Sequence, residues 1–314
     1  MRTRIAITLG DPRGIGPEVA LHAAVQETCP DVDITFFGSD TVRHTIPESC
    51  NFEAVGVFDG SEQSAGRVSG LAIQRAVESA LGGAYEAVVT APVSKPALHA
   101  AGFNVPGQTE LLQQLTESRS VGMLMAAETT QLGAPLRVLL ATTHHALRDV
   151  PKLVTEGLLV EQARLLSDAL ERDWGIAEPR LALCALNPHA SDGGLFGDEE
   201  ARIFAPAVRR AASAGIDISA PLPADTVFQR TLAGQFDAVI APYHDVGMAA
   251  FKTVSFGSGV NVTLGLPFIR TSPDHGTAFA IAGTERADPS SMCEALRLAH
   301  QLASARFDTD SANV

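Results

Sequence analysis

Cysteine is scarce in this sequence, and long apolar runs are absent from it. Its four cysteines, Cys29, Cys50, Cys184 and Cys293, are scattered and form no CxxC pair. Scattered cysteines without a signal peptide are typical of reduced thiols in a cytosolic protein. The first apolar stretch after the N-terminus has only five residues, and no later run reaches about 18 uninterrupted apolar residues. We therefore expect a soluble, cytoplasmic protein with no signal peptide and no membrane span.

Clusters of basic residues are also lacking. The 36 Asp and Glu residues exceed the 23 Lys and Arg residues, which gives a formal net charge of −13. This excess argues against binding to nucleic acid or to an anionic membrane, although a few local cations can still hold a small anion. A chain of 314 residues that is 46% hydrophobic can bury a substantial core in one large domain or in two ordinary ones.

Short apolar runs alternate with segments of helical periodicity along the chain. The predicted strands cover residues 5–9, 34–38, 85–90, 136–142, 180–186 and 236–241. The predicted helices begin at residue 17 and cover 66–82, 152–172, 199–214 and 290–305. This alternation predicts an α/β protein with a mainly parallel or mixed sheet. The sequence shows no internal repeat and no Ser/Gly/Pro linker that separates two domains.

A glycine-rich turn, Gly10-Asp-Pro-Arg-Gly-Ile-Gly16, follows the first predicted strand. Glycines at such a place can bring backbone N–H groups and a helix N-terminus to a phosphate. The spacing G-x-x-x-G-x-G, however, matches neither the dinucleotide fingerprint nor the P-loop. We therefore favour a tight turn that leads into a helix, at whose start Asp11 and Arg13 remain able to contact a ligand.

Three histidines, His144, His189 and His244, each follow the end of a predicted strand. Open α/β sheets assemble their ligand sites at the carboxyl ends of strands, and neutral imidazole is a common ligand of divalent transition metals. The repeated pattern favours one shared metal site over the alternative of three ordinary loop histidines. A fourth turn carries His275, which is a further candidate for the site.

The segment from residue 251 to residue 272 has few charged side chains, and they stand among glycines and apolar residues. Lys252 as a point charge, Arg270 as a planar fork and Asn261 as a neutral donor are suited to clamp an anion. From spacing alone, a surface salt-bridge role is an equal alternative. Asp225 and Asp245 can orient a histidine, ligate a metal or accept a proton. A helix N-cap is the alternative role for Asp225.

These segments, in this order, resemble the 4-hydroxythreonine-4-phosphate dehydrogenase family of vitamin B6 biosynthesis. The resemblance spans nearly the whole chain, and blocks of this length are highly specific. The matching blocks are Gly10-Asp-Pro-Arg-Gly-Ile-Gly-Pro-Glu18, Thr90-Ala-Pro-Val-Ser-Lys95, Gly107-Gln-Thr-Glu110, Ala141-Thr-Thr-His144, Leu186-Asn-Pro-His-Ala190, Leu222-Pro-Ala-Asp-Thr226, Tyr243-His-Asp-Val-Gly247, Gly259-Val-Asn-Val-Thr-Leu-Gly-Leu-Pro-Phe-Ile-Arg-Thr-Ser272 and Asp274-His-Gly-Thr-Ala278.

The resemblance implies specific roles for residues in these blocks. The implied metal ligands are His144, His189 and His244, of which His244 is expected to come from the partner chain of a homodimer. The implied catalytic residues are Asp225, Asp245 and Lys252, and the implied substrate-binding residues are Gln108, Thr109, Lys252, Asn261 and Arg270. Gly10, Asp11 and Gly14 are the candidates for binding NAD or NADP.

The fold that the resemblance implies is that of the isocitrate and isopropylmalate dehydrogenases, with two α/β domains, mixed sheets and the active site in the interdomain cleft. We expect one discontinuous domain made of residues 1–110 and 280–314. Residues 111–279 are expected to form the second domain, which carries the metal site and the dimer interface. The cofactor is expected to bind without a Rossmann motif, in keeping with the irregular glycine spacing.

The implied reaction is the oxidation of 4-hydroxythreonine 4-phosphate. A divalent Zn, Mg or Co ion lowers the pKa of the substrate hydroxyl, the alkoxide gives a hydride to the nicotinamide, and the β-keto acid loses carbon dioxide to give 3-amino-2-oxopropyl phosphate. Two residues depart from the family pattern: Gln108 replaces the usual His, and Val246 replaces the usual Gln.

These departures keep several alternatives open. The first is a paralogue that oxidises 4-phospho-D-erythronate or 4-phospho-D-threonate. The second is a relative that oxidises an aromatic dicarboxylate cis-dihydrodiol of the terephthalate type, which the retained cations disfavour. A metal-dependent phosphate-ester hydrolase and a non-catalytic metabolite-binding protein are the remaining hypotheses.

Overall fold

The computed structural model describes residues 2–27 and 31–311 of the chain. The strands are β1 (Thr3–Thr8), β2 (Val32–Ser39), β3 (Asn51–Gly56), β4 (Ala87–Thr90), β5 (Gly122–Ala127), β6 (Leu136–Leu140), β7 (Arg180–Cys184), β8 (Asp217–Leu222), β9 (Ala238–Ala241), β10 (Val260–Leu264) and β11 (Ile269–Pro273). The helices are α1 (Gly16–Gln26), α2 (Glu62–Leu81), α3 (Lys95–Ala100), α4 (Gln108–Thr116), α5 (Val150–Leu153), α6 (Glu156–Trp174), α7 (Ala205–Ser213), α8 (Ala224–Leu232), α9 (His244–Ser255) and α10 (Ser290–Ser311).

The chain divides into two compact units. The first contains residues 1–121 and 260–314, and the second contains residues 122–259. The sequence led us to expect the boundaries at 110 and 279 instead. The difference at the second boundary arises because β11 pairs in parallel with β4 of the first unit, and β10 pairs antiparallel with β11. These backbone hydrogen bonds assign residues 260–279 to the first unit.

The strands of the first unit are neighbours in the order β3-β2-β1-β4-β11-β10. Every neighbouring pair is parallel except β10 with β11. Ile5, Ala6 and Ile7 of β1 are all fully buried, which is the pattern of a strand covered on both faces. Helix α2 begins at its N-cap Ser61, whose hydroxyl accepts a hydrogen bond from the Ser64 N–H at 3.1 Å.

The strands of the second unit are neighbours in the order β5-β6-β9-β7-β8. Strand β5 is antiparallel to β6, and the remaining pairs are parallel. Its core includes Val138, Ala182, Val239 and Phe251, all fully buried. Because β6, β9 and β7 are parallel neighbours, their carboxyl ends lie side by side at one edge of this sheet.

The predicted α/β alternation is confirmed, and several local boundaries differ from the prediction. The helix expected over 152–172 is divided into α5 and α6, because Thr155 starts a new helix as N-cap by accepting from the Leu158 N–H. The helix expected over 199–214 begins instead with a π-helical turn, Glu200–Phe204, before α7. Strands β3, β5, β8, β10 and β11 were not predicted.

The described part of the chain includes three of the four cysteines and all ten helices. Cys50, Cys184 and Cys293 carry free thiols, as expected, and Cys29 lies outside the described residues. Within residues 2–27 and 31–311, none of the helices has the length and apolar character that crossing a bilayer requires.

Candidate active site

Two of the predicted metal ligands, His144 and His244, lie together in the second unit. His144 follows β6 and His244 begins α9 directly after β9, and these two strands are parallel neighbours. The ring centroids are 5.3 Å apart, and the ring planes are tilted by 43°. Two imidazoles that share one tetrahedral Zn²⁺ at a Zn–N distance of about 2 Å have centroids about 5 Å apart. The spacing of this pair therefore fits a shared divalent metal.

Asp245 provides the orienting partner that a metal-binding histidine usually has. Its Oδ1 lies 2.8 Å from Nδ1 of His244. When Nδ1 carries the proton it donates to this carboxylate, and the lone pair of Nε2 is then left for a metal. The side chain of Asp245 is itself 89% exposed, so it is accessible to a further partner.

The two histidines do not complete a metal site by themselves. Among residues 2–27 and 31–311, no group of three or more His, Cys, Asp or Glu side chains is placed to hold a metal ion. The sequence-based expectation assigned His244 to the partner chain, yet His244 lies beside His144 of its own chain.

The third predicted ligand, His189, lies in an unusual turn after β7. The turn Pro188–Gly194 contains six successive residues with positive φ: His189 (53°), Ala190 (53°), Ser191 (69°), Asp192 (44°), Gly193 (69°) and Gly194 (99°). Four of these six are not glycine, and such residues rarely adopt the left-handed conformation. His189 is exposed, and its ring centroid lies 6.4 Å from that of Phe196.

Glu200 is hydrogen-bonded to residues of this turn and of the segment before it, and nothing in the local sequence singles it out. Its side chain is buried and accepts hydrogen bonds from the backbone N–H groups of Leu186 and Asn187. Burial alone would raise the pKa of Glu200, but hydrogen bonds from Ser191 and Asn187 outweigh this effect, and the pKa is lowered. Burial also raises the pKa of the neighbouring Cys184 thiol to about 12, and the charge of Glu200 adds to that rise.

The remaining candidates of the second unit lie on helices α8 and α9. Lys252 is half-buried on α9, seven residues after Asp245, so both side chains project from the same face of the helix. Asp225 is the second residue of α8 and is exposed. The N-cap of α8 is Pro223, so the alternative interpretation of Asp225 as an N-cap is wrong.

The anion-binding candidate Arg270 lies in the first unit and is almost completely buried, with 2% of its surface exposed. Its Nη1 donates to the Thr263 hydroxyl at 2.8 Å, and its Nη2 donates to the Thr90 hydroxyl at 2.7 Å. Burial lowers the pKa of Arg270 to about 10, and the nearby charge of Glu110 opposes this shift. The side-chain hydrogen-bond partners of this guanidinium are the two neutral threonine hydroxyls. An anionic ligand would therefore compensate for the burial of its charge. The surface salt-bridge alternative for Arg270 is therefore wrong.

Gln108 and Asn261 each present a buried acceptor in the same unit. Nε2 of Gln108 donates to the Ala91 carbonyl at 3.2 Å, next to Thr90. The Oε1 of Gln108, the Oδ1 of Asn261 and the Nε of Arg270 are buried without a hydrogen-bond partner in the described part of the chain. Unsatisfied buried polar atoms are uncommon, and a bound ligand is one explanation for them.

The strand register places these polar side chains on one face of the sheet. Arg270 pairs with Val88, two residues before Thr90, and Asn261 pairs with Ser272, two residues after Arg270. Residues directly opposite each other, and residues two apart on one strand, project from the same face. Thr109, the second residue of α4, adds a position at a helix N-terminus, which favours anions.

The glycine-rich turn has a structural explanation that needs no ligand. A Cβ on Gly10 would lie 2.2 Å from the Pro92 carbonyl oxygen, and one on Gly14 would lie 2.6 Å from the Thr277 carbonyl oxygen. Asp11 is fully buried, and its carboxylate accepts hydrogen bonds from the Arg13 guanidinium. These residues therefore do not fit an open cradle for a dinucleotide, in line with the favoured interpretation of a tight turn that leads into α1.

His275 lies in the first unit, where its Nδ1 is 3.1 Å from the Gly276 carbonyl oxygen. The residues that the sequence analysis missed are Thr90, Thr263, Glu110 and Glu200. Thr90, Glu110 and Thr263 stand inside the family-like blocks, so the blocks themselves were the available signal. Nothing in the local sequence marks Glu200, because its role depends on a turn that only the folded chain shows.

The parallel and antiparallel strands of each unit define an α/β protein with the fold of the isocitrate dehydrogenases, and two of the predicted histidine ligands lie beyond the carboxyl ends of β6 and β9. The solved isocitrate dehydrogenase of Methylococcus capsulatus shares the fold with a TM-score of 0.53 at 14% identity, over 99% of this chain and 88% of that chain.

The chain belongs to the family described as "Pyridoxal phosphate biosynthetic protein PdxA", which it matches over residues 12–299. It is 41% identical to the 4-hydroxythreonine-4-phosphate dehydrogenase of Paracoccus denitrificans (strain Pd 1222), over 96% of this chain and 98% of that protein. It is 38% identical to the D-threonate 4-phosphate dehydrogenase of Salmonella typhimurium (strain LT2), over 95% and 98%.

Among solved structures, the 4-hydroxythreonine-4-phosphate dehydrogenase of Klebsiella pneumoniae matches with a TM-score of 0.85 and 37% identity, over 96% of this chain and 99% of that chain. The relatives are named as dehydrogenases, and the chain is accordingly an oxidoreductase that acts on a CH–OH group. The resemblance seen in the sequence blocks is therefore confirmed.

Proposed function

We propose that the protein is a divalent-metal-dependent NAD(P) dehydrogenase that oxidises the hydroxyl of 4-hydroxythreonine 4-phosphate. The observation that carries the proposal is the His144–His244 pair with its Asp245 partner, in a chain whose relatives are dehydrogenases of phosphorylated hydroxy acids. The bound metal would lower the pKa of the substrate hydroxyl, and the nicotinamide would accept the hydride before the product loses carbon dioxide.

His144 and His244 would hold the metal from one chain, and we propose His189 of a partner chain as the third ligand. Exposed apolar side chains on the second unit support a dimer interface there; they are Leu132, Leu147, Leu153, Leu195, Phe196 and Phe256. Two of these, Leu195 and Phe196, follow directly after the turn that carries His189. Mg²⁺ prefers oxygen ligands, so an all-histidine set favours Zn²⁺ or Co²⁺.

The phosphate of the substrate is proposed to bind Arg270, with Asn261 and the N-terminus of α4 at Thr109 as further contacts. The buried guanidinium supplies the positive charge, and its unpartnered Nε is one donor available to a phosphate oxygen. Lys252 is proposed to bind substrate and to transfer a proton, together with Asp245. Asp225 is proposed as a further acid–base group because its carboxylate is exposed on the first turn of α8.

A test measures NADH and NADPH formation by the purified protein with Zn²⁺, Mg²⁺ or Co²⁺ and 4-hydroxythreonine 4-phosphate. Reduced nicotinamide together with carbon dioxide release supports the proposal. Absence of reduction with every phosphorylated hydroxy acid contradicts it. Phosphate release without any nicotinamide would instead support the hydrolase hypothesis.

A second candidate substrate is 4-phospho-D-threonate or 4-phospho-D-erythronate, and Gln108 is the observation that favours it. Its buried Oε1 lacks a partner, and it is a neutral acceptor where the family usually has His. A hydroxyl can donate to this oxygen without further compensation, whereas a buried ammonium group requires an opposite charge. The ratio of kcat/KM for the hydroxy acid phosphates to kcat/KM for 4-hydroxythreonine 4-phosphate separates the two candidates.

A further inference from the structure

The turn that carries His189 is conformationally unfavourable by itself. Four successive non-glycine residues, His189 to Asp192, hold positive φ values between 44° and 69°. L-residues avoid this region because the Cβ approaches backbone oxygen, so such a run persists only where surrounding contacts over-determine it. Contacts from other residues must therefore stabilise this turn, and the hydrogen bonds of the turn show which side chain makes them.

Glu200 makes contacts on both sides of His189. Its Oε1 accepts from the backbone N–H groups of Leu186 at 2.9 Å and Asn187 at 2.8 Å. Its Oε2 accepts from Nδ2 of Asn187 at 2.9 Å and from the Ser191 hydroxyl. One carboxylate thus ties the chain before the histidine to the chain after it, and the histidine is bracketed at both ends.

The placement of Glu200 is unusual for a carboxylate. Its surface is only 6% exposed, and no Lys or Arg of the described residues forms an ion pair with it. Backbone N–H, amide and hydroxyl donors alone compensate for its burial, which is the arrangement of a carboxylate that orders a loop. A surface stability role would instead leave the group exposed, as with Asp198, whose side chain is 72% exposed and pairs with Arg202.

We propose that Glu200 is a positioning residue that holds the left-handed turn so that the His189 imidazole is presented for metal binding. Glu200 does not contact the metal or the substrate; it acts through the backbone and side chains of Asn187 and Ser191. The inference rests on the proposed metal site and adds to it a residue outside the ligand set.

The test compares Glu200→Gln with wild type in the full-length protein. Glutamine keeps one acceptor oxygen for the two backbone N–H groups, but its amide nitrogen cannot accept from Nδ2 of Asn187. The dissociation constant for Co²⁺ is measured by chelator competition, and the visible absorption bands of bound Co²⁺ report the geometry of its ligands. We expect the dissociation constant to rise by about 10- to 100-fold, the usual effect of removing an outer-shell partner, together with a change in the Co²⁺ spectrum.

Asp198→Asn is the matched control, because it makes the same carboxylate-to-amide change two residues away on the surface. It should bind Co²⁺ as wild type does and give the same spectrum. Ser191→Ala is the second variant, since it removes one donor to Glu200 without introducing a new polar atom. It should weaken Co²⁺ binding in the same direction and by less, and it tests the proposal even where Glu200→Gln fails to fold.

The outcomes separate this inference from the proposed metal site. The positioning role is wrong if folded Glu200→Gln binds Co²⁺ with the affinity and spectrum of wild type. If Glu200→Gln does not fold, the same result in Ser191→Ala overturns the role. His189→Ala is the reference variant. If it loses Co²⁺ binding while the Glu200 and Ser191 variants keep it, the positioning role of Glu200 is wrong and the proposed metal site stands. Unchanged Co²⁺ binding in His189→Ala would mean that the proposed metal site itself is wrong.

Discussion

The ring centroids of His144 and His244 lie 5.3 Å apart within one chain. This follows because strands β6 and β9 are parallel neighbours in which Leu140 pairs with Ala241. Each histidine stands three or four residues beyond this register pair, at the same edge of the sheet. The pair is thus a property of the second unit alone, and the proposed third ligand is His189.

Mixed dimers test how the ligands are divided between chains. In the proposed division, a heterodimer of His144→Ala and His189→Ala chains contains one site with all ligands intact. A heterodimer of His144→Ala and His244→Ala chains contains none. We expect the first mixture to recover about half of the wild-type metal content per dimer and the second to recover almost none, measured by elemental analysis after differentially tagged purification. His145→Ala, at the neighbouring exposed position, serves as a control with full metal content.

Metal recovery by the second mixture and not by the first would support the sequence-based assignment of His244 to the partner chain. In that case the His144→Ala and His244→Ala mixture would recover metal. Recovery in neither mixture would place all three histidines in the same chain.

Replacing Arg270 separates stability from binding. Arg270→Met removes a buried cation that is held by two threonine hydroxyls, and burying an apolar side chain of similar length in its place is often neutral or stabilising. We expect an unchanged or higher Tm and a loss of about 30-fold or more in kcat/KM for the phosphorylated substrate, since removing one buried charged partner costs at least about 2 kcal/mol. A full kcat/KM in the variant would remove Arg270 from the phosphate site.

Gln108→His tests the origin of substrate preference. The change replaces a neutral buried acceptor by the residue that the family usually has at this place. We expect the ratio of kcat/KM values to shift toward 4-hydroxythreonine 4-phosphate by about tenfold, the factor that one hydrogen bond of about 1.4 kcal/mol gives. Thr116→Ser on the same helix is the control and should leave the ratio unchanged. An unchanged ratio in Gln108→His would show that the acceptor does not select the substrate.

Two glycine substitutions test how closely α9, which begins at His244, packs on its sheet. A Cβ on Gly247 would lie 2.5 Å from Cδ2 of Leu140 and 3.0 Å from the Cβ of Ala241, so Gly247→Ala must displace the helix. We expect the free energy of unfolding to fall by about 1–3 kcal/mol, as for other overpacked cores. A Cβ on Gly157 in α6 would have no atom within 4 Å. Gly157→Ala should therefore raise the free energy of unfolding by about 0.5–1 kcal/mol. Urea denaturation measures both, and equal effects would contradict the packing argument.

The pair formed by Arg180 and Asp237 predicts a pH-dependent contribution to stability. Burial alone would raise the pKa of Asp237, but the hydrogen bonds and charge of Arg180 outweigh burial and lower it. A lowered folded-state pKa means that the contribution is complete above the unfolded value of about 3.9 and is lost as the pH falls through the folded value. Asp237→Asn should therefore cost about 1–3 kcal/mol at pH 7 and progressively less below about pH 4.

Urea titrations of wild type and Asp237→Asn at several pH values measure this difference. Asp168→Asn is the control, because its carboxylate is 64% exposed and lies 3.7 Å from Arg164. The free energy of unfolding of Asp168→Asn should differ little from that of wild type at pH 7. A difference between wild type and Asp237→Asn that grows as the pH falls would contradict the assigned sign.

The α/β class, the strands that precede the three histidines and the family could all be predicted from the amino-acid sequence. These features are encoded locally: apolar runs of strand length, helical periodicity, and long blocks such as the one from Gly259 to Ser272. The metal and anion candidates were found in the same way, since each stands beside its own apolar run or inside its own block.

Which candidate residues lie together, and which contacts position them, became visible in the folded chain. Strands β10 and β11 were missed because their residues had been interpreted as a ligand segment. The pairing of β11 with β4 is what places Arg270 against Thr90. The left-handed turn at His189 depends on Glu200, which follows it in sequence and acts through buried hydrogen bonds. Such contacts join residues that carry no mutual signal along the chain, because burial, register and hydrogen-bond partners exist only once the strands are paired.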